Sequence, residues 1–346
     1  MATTIRDVAE RAGVSKATVS YILNGREHRI RITDETKRRV LEAVRELNYH
    51  PNGLARGLAL KRTDTIALVM QYARMFSGWS GFTGTMMRGL TEAAFEAGVD
   101  LMLYTCERPS PEQEASALTD GRIDGALLLR DRDDPLPGLL CARGLPALQI
   151  FARNADEAVP YVDCDNRAIG RLAAEYLIGL GHRRILHIAG PASSSAAFDR
   201  LRGLSEGLQA AGAPLRPEWT IEMTYAGASF DAVERVLRSS DRPSALFAWA
   251  DDVAIRAMSV AQGLGLRVPE DLSVLGCDST EICDHTTPAL TSIRQPIREM
   301  AAHAVAVLVR RIRAEADELQ SVVFDPAIDV RASCAPIAQG GQDRAC

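Results

Sequence analysis

The spacing of apolar residues divides the chain into a short helical head and a longer, alternating remainder. Within residues 1–50, apolar positions recur at helical spacing in three stretches, and Thr4, Ser15 and Thr33 precede them as candidate helix caps. Gly13 lies between the first two stretches, where it can form a turn. The pattern predicts three short helices, of which the first two form a helix-turn-helix.

From residue 66 onward, short apolar runs alternate with amphipathic stretches. The runs predict buried strands at 66–70, 100–105, 125–129, 147–151, 184–190, 245–250 and 273–277. The amphipathic stretches predict helices at 84–97, 111–120, 166–180, 199–212, 229–239 and 252–264. Such alternation is typical of parallel, doubly wound sheets, which bind ligands at the carboxyl ends of their strands.

The number of strands is enough for two sheets. An irregular polar stretch at 152–165 marks the break between them, and a second crossing is expected at 290–294, where a strand leads into a helix begun by Pro296. We therefore expect a two-lobed domain with a cleft between its lobes and a hinge-closing motion.

Charge is distributed unevenly along the chain, whose net charge is −5. Residues 1–62 contain 13 basic and 7 acidic residues, a net +6, which leaves 27 basic and 38 acidic residues, a net −11, in the remainder. Such asymmetry predicts that the head binds a polyanion. Polar Lys16, Thr18, Ser20 and Tyr21 beside a clean apolar stripe favour DNA reading over an ordinary three-helix subdomain.

The sequence lacks the residue patterns that enzymes, metal-binding proteins and nucleotide-binding proteins need. The six histidines are dispersed, the seven cysteines show no CxxC pair, and no nucleotide-binding glycine motif follows a strand. Adjacent Asp251 and Asp252 would diverge on a helix, which argues against an acid/base pair. We therefore expect no enzyme, no metal and no cofactor. Without a membrane span or an export signal, the expected location is the cytoplasm.

Six blocks of the sequence resemble the lac repressor family of bacterial transcriptional regulators. The opening TIRDVAERAGVSKATVSYILNG is similar to the family's helix-turn-helix, and ELNYHPNGLARGLA to its hinge helix. Four further blocks resemble its sensor domain, in the family's order: VDCDNRAIGRLAAEYLIGLGHRRILHIAGP, FDRLRGLSEGLQAAG, LRVPEDLSVLGCDS and TPALTSIRQPIREMA. The resemblance implies a ligand-controlled repressor that binds a near-palindromic DNA operator as a homodimer.

The resemblance also implies which residues meet DNA. Lys16, Ala17 and Tyr21 would face base edges, while phosphate contacts would come from Ser15, Thr18, Ser20 and Asn24. Tyr21 replaces the arginine often found in the family, so the operator sequence of a relative does not carry over.

The sequence lacks C-terminal leucine heptads, which favours a dimer over a tetramer.

The segment 51–62 would form the hinge helix. Asn52 would cap it, Ala55 would allow close approach to the minor groove, and Leu58 matches the family's leucine wedge, which kinks the duplex. A plain linker remains the alternative for the segment, and a contact between hinges or with a lobe remains the alternative for Leu58.

For the small-molecule effector, expected to be a sugar or sugar derivative, the resemblance implies a site between the lobes. Arg200 and Asp278 match the family's ligand-contacting arginine and aspartate, with an interlobe salt bridge as the alternative. The other matching cleft positions are Phe82, Arg153, Tyr225, Trp249 and Asp251. The rings of Phe82 and Trp249 would stack on a sugar or belong to the core.

This chain departs from the family at two polar cleft positions, where it has Ala152 and Ala250, so a relative's sugar pose does not carry over.

The predicted fold is α/β: a three-helix helix-turn-helix domain at 1–50, the hinge at 51–62, and a periplasmic-binding-protein-like sensor at 63–346 with two parallel doubly wound sheets. Its N-lobe would comprise 63–161 and 290–322, and its C-lobe 162–289 and 323–338. A solute-binding protein of a transport system is the alternative function, disfavoured by the basic head.

Overall fold

The computed structural model describes residues 3–23, 32–50, 62–71, 81–106, 108–223 and 230–337. The chain divides into two compact units, the first ending at Thr63 and the second beginning at Asp64. Helices form the described part of the first unit, and two six-stranded sheets with flanking helices form the second. The α/β fold class predicted from the sequence is confirmed.

The first unit contains α1 (Ile5–Ala12), α2 (Lys16–Leu23) and α3 (Asp34–Glu46). Each helix begins after a predicted cap. At α1, the Thr4 N–H donates to Asp7 Oδ2 at 2.8 Å. At α2 and α3, a side-chain oxygen accepts a backbone N–H: Ser15 Oγ from Thr18 at 3.1 Å, and Thr33 Oγ1 from Thr36 at 3.2 Å. Val8, Val19 and Val40 are fully buried, so the three helices share one small apolar core.

The second unit contains two lobes, each built on one sheet. Its strands are β1 (Thr65–Met70), β2 (Asp100–Tyr104), β3 (Gly125–Leu129), β4 (Ala147–Ile150), β5 (Tyr161–Cys164), β6 (Ile185–Ala189), β7 (Thr220–Glu222), β8 (Ala245–Ala248), β9 (Ser273–Asp278), β10 (Thr291–Arg294), β11 (Val322–Phe324) and β12 (Ala327–Asp329). Its helices are α4 (Gly81–Ala97), α5 (Pro111–Leu118), α6 (Leu136–Ala142), α7 (Asn166–Gly179), α8 (Ser195–Ala210), α9 (Asp231–Arg238), α10 (Asp251–Gly263) and α11 (Ile297–Ile312).

The N-lobe sheet has the order β11-β5-β4-β3-β1-β2, and the C-lobe sheet has the order β12-β10-β9-β8-β6-β7. All pairings are parallel except that of β10 with β12. Strands such as β3 and β8 are apolar along their whole length because helices cover both faces of each sheet.

The chain crosses between the lobes three times, slightly later than the predicted boundaries. Strand β5 still pairs with β4 in the N-lobe, so the first crossing follows residue 164 rather than 161. Strand β10 pairs with β9 in the C-lobe, so the second follows residue 294. Strand β11 ends at Phe324 in the N-lobe sheet, and β12 returns the chain to the C-lobe.

The structure also contains elements that the sequence pattern did not predict. Helix α6 was missed because its sequence, LPGLLCA, contains a proline and a glycine. Helix α8 begins four residues before the predicted 199, because the Ser194 side chain accepts the Ala197 N–H at 3.3 Å and starts the helix there.

Candidate functional site

The amino-terminal end of α2 carries the described residues that were predicted to contact DNA. Ser15, Lys16 and Ala17 are exposed, while Thr18, Ser20 and Tyr21 are half-buried. The hydroxyls of Ser15 and Thr18 lie 2.9 Å apart, and Ser15 also bonds the helix backbone. These groups can therefore meet a phosphate at a helix N-terminus beside a lysine. A shallow depression at this end is lined by Arg6, Ala9, Glu10, Gly13, Val14, Ser15 and Lys16.

Five of the predicted site residues lie outside the described residues. They are Asn24, Asn52, Ala55, Leu58 and Tyr225. Their roles, and those of the hinge segment 51–61, stay predictions.

Within the second unit, the carboxyl ends of the two sheets face each other. Just after β4, the Arg153 backbone N–H donates to Ser195 Oγ of the C-lobe at 2.8 Å. At the start of α4, a Cβ on Gly81 would lie 2.8 Å from Thr280 Cβ, which shows how closely the C-lobe approaches there. The lobes therefore meet at these strand ends, the edge at which open α/β sheets bind ligands, and a ligand-binding cleft between them stays a prediction.

A chain of polar side chains, buried except for the half-buried Arg153, runs from the N-lobe to the C-lobe across the first crossing. Arg153 Nε donates to Asp163 Oδ2 at 3.0 Å, and the two Asp163 oxygens accept from Asn166 Nδ2 at 3.1 and 3.0 Å. Asn166 Oδ1 in turn accepts from Arg200 Nε at 2.8 Å. Burial raises the pKa of Asp163, while Arg153 acts in the opposite direction.

Arg200 lies one turn into α8, is only 5% exposed, and belongs to the C-lobe. Besides its bond to Asn166, its Nη1 donates to the carbonyl oxygen of Trp249. Asp278 at the end of β9 also belongs to the C-lobe, so these two residues do not form the interlobe salt bridge that the sequence left open.

Asp278 is held in an unusual backbone conformation at the end of β9, with φ +116°. It is 5% exposed, and its Oδ1 accepts from Gln295 Nε2 at 2.7 Å. Burial and then the nearby Asp251 carboxylate raise the pKa of Asp278 well above its usual value, whereas Arg200 lowers it. The carboxyl can therefore donate or accept a hydrogen bond at this strand end.

Asp251 begins α10, and protein groups occupy both of its carboxylate oxygens. Oδ2 accepts from the Thr280 N–H at 2.8 Å and from Thr280 Oγ1 at 3.0 Å, while Oδ1 accepts from Ser292 Oγ. Gly276 leaves room for this side chain, since a Cβ there would lie 2.6 Å from Asp251 Oδ1. The described contacts of Asp251 therefore hold the cleft wall in place.

The two aromatic candidates lie on opposite lobes and are half-buried. Phe82 packs edge-to-face on Phe151, with ring centroids 5.0 Å apart. Trp249 follows β8 and lies against Gly190, where a Cβ would come within 2.6 Å of the indole ring. Both rings border the strand ends, and their stacking on a sugar stays a prediction.

Asp163, Asn166 and Gln295 were not singled out from the sequence. Asp163 lies within β5, Asn166 follows β5 and Gln295 follows β10, so the available signal was their position beside a crossing between the lobes. Their partners lie 10, 34 and 17 residues away along the chain. Among the residues described, no cluster of metal-ligating side chains occurs, and no helix is long and apolar enough to cross a membrane.

Comparison with known proteins relates both units to one family. Residues 4–52 match the family of bacterial regulatory proteins, lacI family, and residues 174–334 match a periplasmic binding protein-like domain. The HTH-type transcriptional regulator CelR of Thermobifida fusca is 35% identical over 340 residues, which cover 95% of this chain and 98% of CelR. The chain belongs to the lacI family.

Other lacI-family proteins match over the same length. The HTH-type transcriptional repressor PurR of Edwardsiella ictaluri is 32% identical, with 96% of this chain and 97% of PurR covered. Among solved structures, the transcriptional regulator CelR–cellobiose complex has a TM-score of 0.71, 34% identity, and covers 96% of this chain and 99% of that one. The lac repressor dimer bound to operator and the anti-inducer ONPF has a TM-score of 0.82, 26% identity, and covers 97% and 100%.

This lacI-family chain is thus a DNA-binding transcriptional regulator controlled by a small-molecule effector. Its relatives CelR and PurR are regulators rather than enzymes.

Proposed function

We propose that the chain is a repressor whose effector is a neutral carbohydrate held between the two lobes. The observation that carries this proposal is the pair of buried polar groups, Arg200 and Asp278, at the strand ends of the C-lobe. The contacts described for Arg200 use two of its five N–H groups, and Gln295 occupies one oxygen of Asp278. The remaining donors and acceptors suit the hydroxyl pairs of a sugar.

Cellobiose is the first ligand to test. CelR, whose structure is a cellobiose complex, matches this chain at 34% identity across nearly its whole length. Ala152 and Ala250 lie beside the cleft positions and are buried, so neither supplies a polar group to a ligand, and the sugar pose of a single-hexose relative is not assumed. Phe82 and Trp249 would stack on its rings, and Arg153 would contact it from the N-lobe.

We propose that DNA is read as the sequence predicted, with a domain layout of 1–50, 51–62 and 63–346. Two heads of a homodimer would bind a near-palindromic operator in the bacterial cytoplasm, and the hinges between them would open the minor groove. Effector binding would change the positions of the lobes near the hinges and hence the operator affinity, with no catalytic step.

The effector proposal is tested by thermal unfolding and titration calorimetry against cellobiose and other sugars, sugar phosphates, nucleosides and purines. A ligand that binds only the folded state raises the midpoint by mass action. Arg200→Ala should weaken binding at least about tenfold, because it removes charge-assisted hydrogen bonds. The control is Arg202→Ala, whose side chain pairs with Glu206 on the exposed side of α8. A sugar affinity that survives Arg200→Ala would overturn the assignment.

The DNA proposal is tested on a duplex selected by the protein from a randomised pool. Leu58→Ala should reduce both affinity and DNA bending, because the wedge is lost. Lys16→Ala should weaken binding and make it less dependent on salt, because one phosphate or base contact is lost. If Leu58→Ala leaves affinity and bending unchanged, Leu58 is no wedge.

A further inference from the structure

The edge of the cleft beyond the ends of β3 and β6 joins the two lobes through Arg132. This residue follows β3 in the N-lobe, and its backbone N–H donates to the Ser193 carbonyl of the C-lobe at 3.0 Å. Its guanidinium carbon lies 4.9 Å from the centroid of the Phe198 ring, also in the C-lobe. The Ala155 N–H donates to the Arg132 carbonyl at 2.8 Å, which ties the Arg132 loop to its own lobe.

The C-lobe side of this contact is the first turn of α8. Ser194 caps that turn, and Ser195 accepts the Arg153 N–H from the N-lobe at 2.8 Å. Phe198 is 43% exposed, whereas Arg200, two residues later, is 5% exposed. One rigid helical turn therefore carries both a lobe contact and the buried arginine of the effector site.

We propose that Arg132 and Phe198 form a latch, a cation–π pair between the lobes that stabilises the closed cleft and thereby sets the effector concentration to which the protein responds. The latch proposal takes its effector, a carbohydrate held between the lobes, from the proposed function. An effector held between the lobes binds only the closed fraction of the protein, so a smaller closed fraction weakens its apparent affinity in proportion. Removing a cation–π contact at a partly exposed position lowers the equilibrium constant between the closed and open forms roughly two- to fivefold.

The latch residues are positioning residues that do not touch the effector. Direct contact between Arg132 and the effector would also weaken binding on substitution, but it would leave the closed fraction of the ligand-free protein unchanged. The distance between the lobes must therefore be measured separately from affinity.

The experiment uses the full chain with spin labels at exposed positions, Gln113→Cys in the N-lobe and Gln209→Cys in the C-lobe, in a background in which Cys106, Cys141, Cys334 and Cys346 are replaced by serine. Labelled protein is mixed with excess unlabelled protein so that distances within one chain dominate. Pulsed electron resonance then measures the interlobe distance with and without cellobiose, and calorimetry measures cellobiose affinity.

Arg132→Ala and Phe198→Ala should both shift the distance distribution towards longer separations and weaken cellobiose binding by the factor by which the closed fraction falls, which is at most roughly fivefold. Phe198→Tyr keeps an aromatic face and should behave as the parent. Arg256→Ala is the matched control, because Arg256 lies 4.5 Å from the Phe230 ring within the C-lobe alone. It should change neither quantity.

Unchanged distances in both alanine variants would overturn the latch, whether or not cellobiose affinity falls. If the parent does not bind cellobiose but the distances shift as expected, the latch stands and the proposed effector is wrong. If Arg256→Ala shifts the distances as much as Arg132→Ala, the effect is not specific to the interlobe pair and the latch is likewise refuted.

Discussion

At the scale of single residues, the protonation state of the fully buried His187 on β6 is decided by its surroundings. Its Nδ1 lies 3.0 Å from the Phe247 carbonyl, and its ring stacks on that of Phe247 with centroids 5.1 Å apart. Burial lowers the pKa of His187 to about 4. The imidazole is therefore neutral in the folded protein at physiological pH.

His187 should make the fold sensitive to acid. Because its pKa falls from 6.5 to about 4 on folding, the unfolded chain binds the proton first as the pH drops. The stability that the neutral histidine contributes is complete above pH 6.5 and is lost towards pH 4, by about 3 kcal/mol. Urea unfolding of the parent and of His187→Gln between pH 7 and pH 4.5 measures this difference in slope. His285→Gln, at an exposed histidine, is the control; equal slopes for the parent and His187→Gln would contradict the prediction.

The candidate site was partly predictable at this scale. Arg200 and Asp278 were found because they match positions of a known family. Their partners Asn166 and Gln295 were not found, since hydrogen bonds across 34 and 17 residues depend on where the chain crosses between lobes. Asp251 was named for its position, but its oxygens face Thr280 and Ser292, which no local pattern indicates.

At the scale of elements, the contact between α7 and α8 depends on glycine. Gly170 lies against the Arg200 carbonyl, and Gly203 lies against the Arg167 carbonyl, so a Cβ at either position would collide with backbone of the opposite helix. The two helices approach closely as a result, and this contact positions α8, which carries Arg200.

Gly203→Ala should push α7 and α8 apart. We expect a loss of about 1–3 kcal/mol in the free energy of unfolding, because the added methyl overpacks a backbone contact, together with weaker effector binding as Arg200 moves. Denaturant unfolding and calorimetry measure the two effects. Gly179→Ala is the control: no atom lies within 4 Å of a Cβ there, and alanine should stabilise the helix by up to about 1 kcal/mol. A Gly203→Ala variant as stable as the parent would show that the helices can separate freely.

Prediction succeeded for elements with a long periodic or apolar signal and failed for those without one. All seven strands predicted from apolar runs are present, as β1 to β4, β6, β8 and β9. The expectation that 152–165 is irregular was wrong at 161–164, where the four-residue β5 includes the polar Asp163 and gave no apolar run. The three-residue strands β7, β11 and β12 were missed because three residues are too few to show a period. Their pairing with distant strands, such as β11 with β5, is decided by the fold as a whole.

At the scale of the whole molecule, the chain separates two tasks between two units that share no apolar core. The core of the first unit contains Val8, Val19 and Val40, and those of the second unit contain only residues from Ile66 onward. The basic charge lies with the first unit and the acidic charge with the second. DNA affinity and effector binding can therefore be changed separately by substitution in one core.

Val40→Ala should lower the stability of the first unit alone. Deleting two buried methyl groups costs about 2 kcal/mol, which lowers the unfolding midpoint of a domain of this size by roughly 10 °C. Differential scanning calorimetry should show that this transition moves while the transition of the second unit does not. The reverse is expected for Val274→Ala, at a fully buried position of β9. Two transitions that shift together in either variant would contradict the independence of the cores.

The late return of the chain to the N-lobe affects how the protein is made. Helix α11 packs on α4 at Gly89, where a Cβ would lie 2.6 Å from the Arg298 carbonyl, and β11 completes the sheet at its edge. The ribosome therefore synthesises every strand of the C-lobe sheet except β12 before the N-lobe can close, whereas helices α1 to α3 of the first unit end by residue 46. A stop codon before residue 297 leaves both lobes unfinished but the head intact. Such a fragment would retain a DNA-binding head that no effector controls.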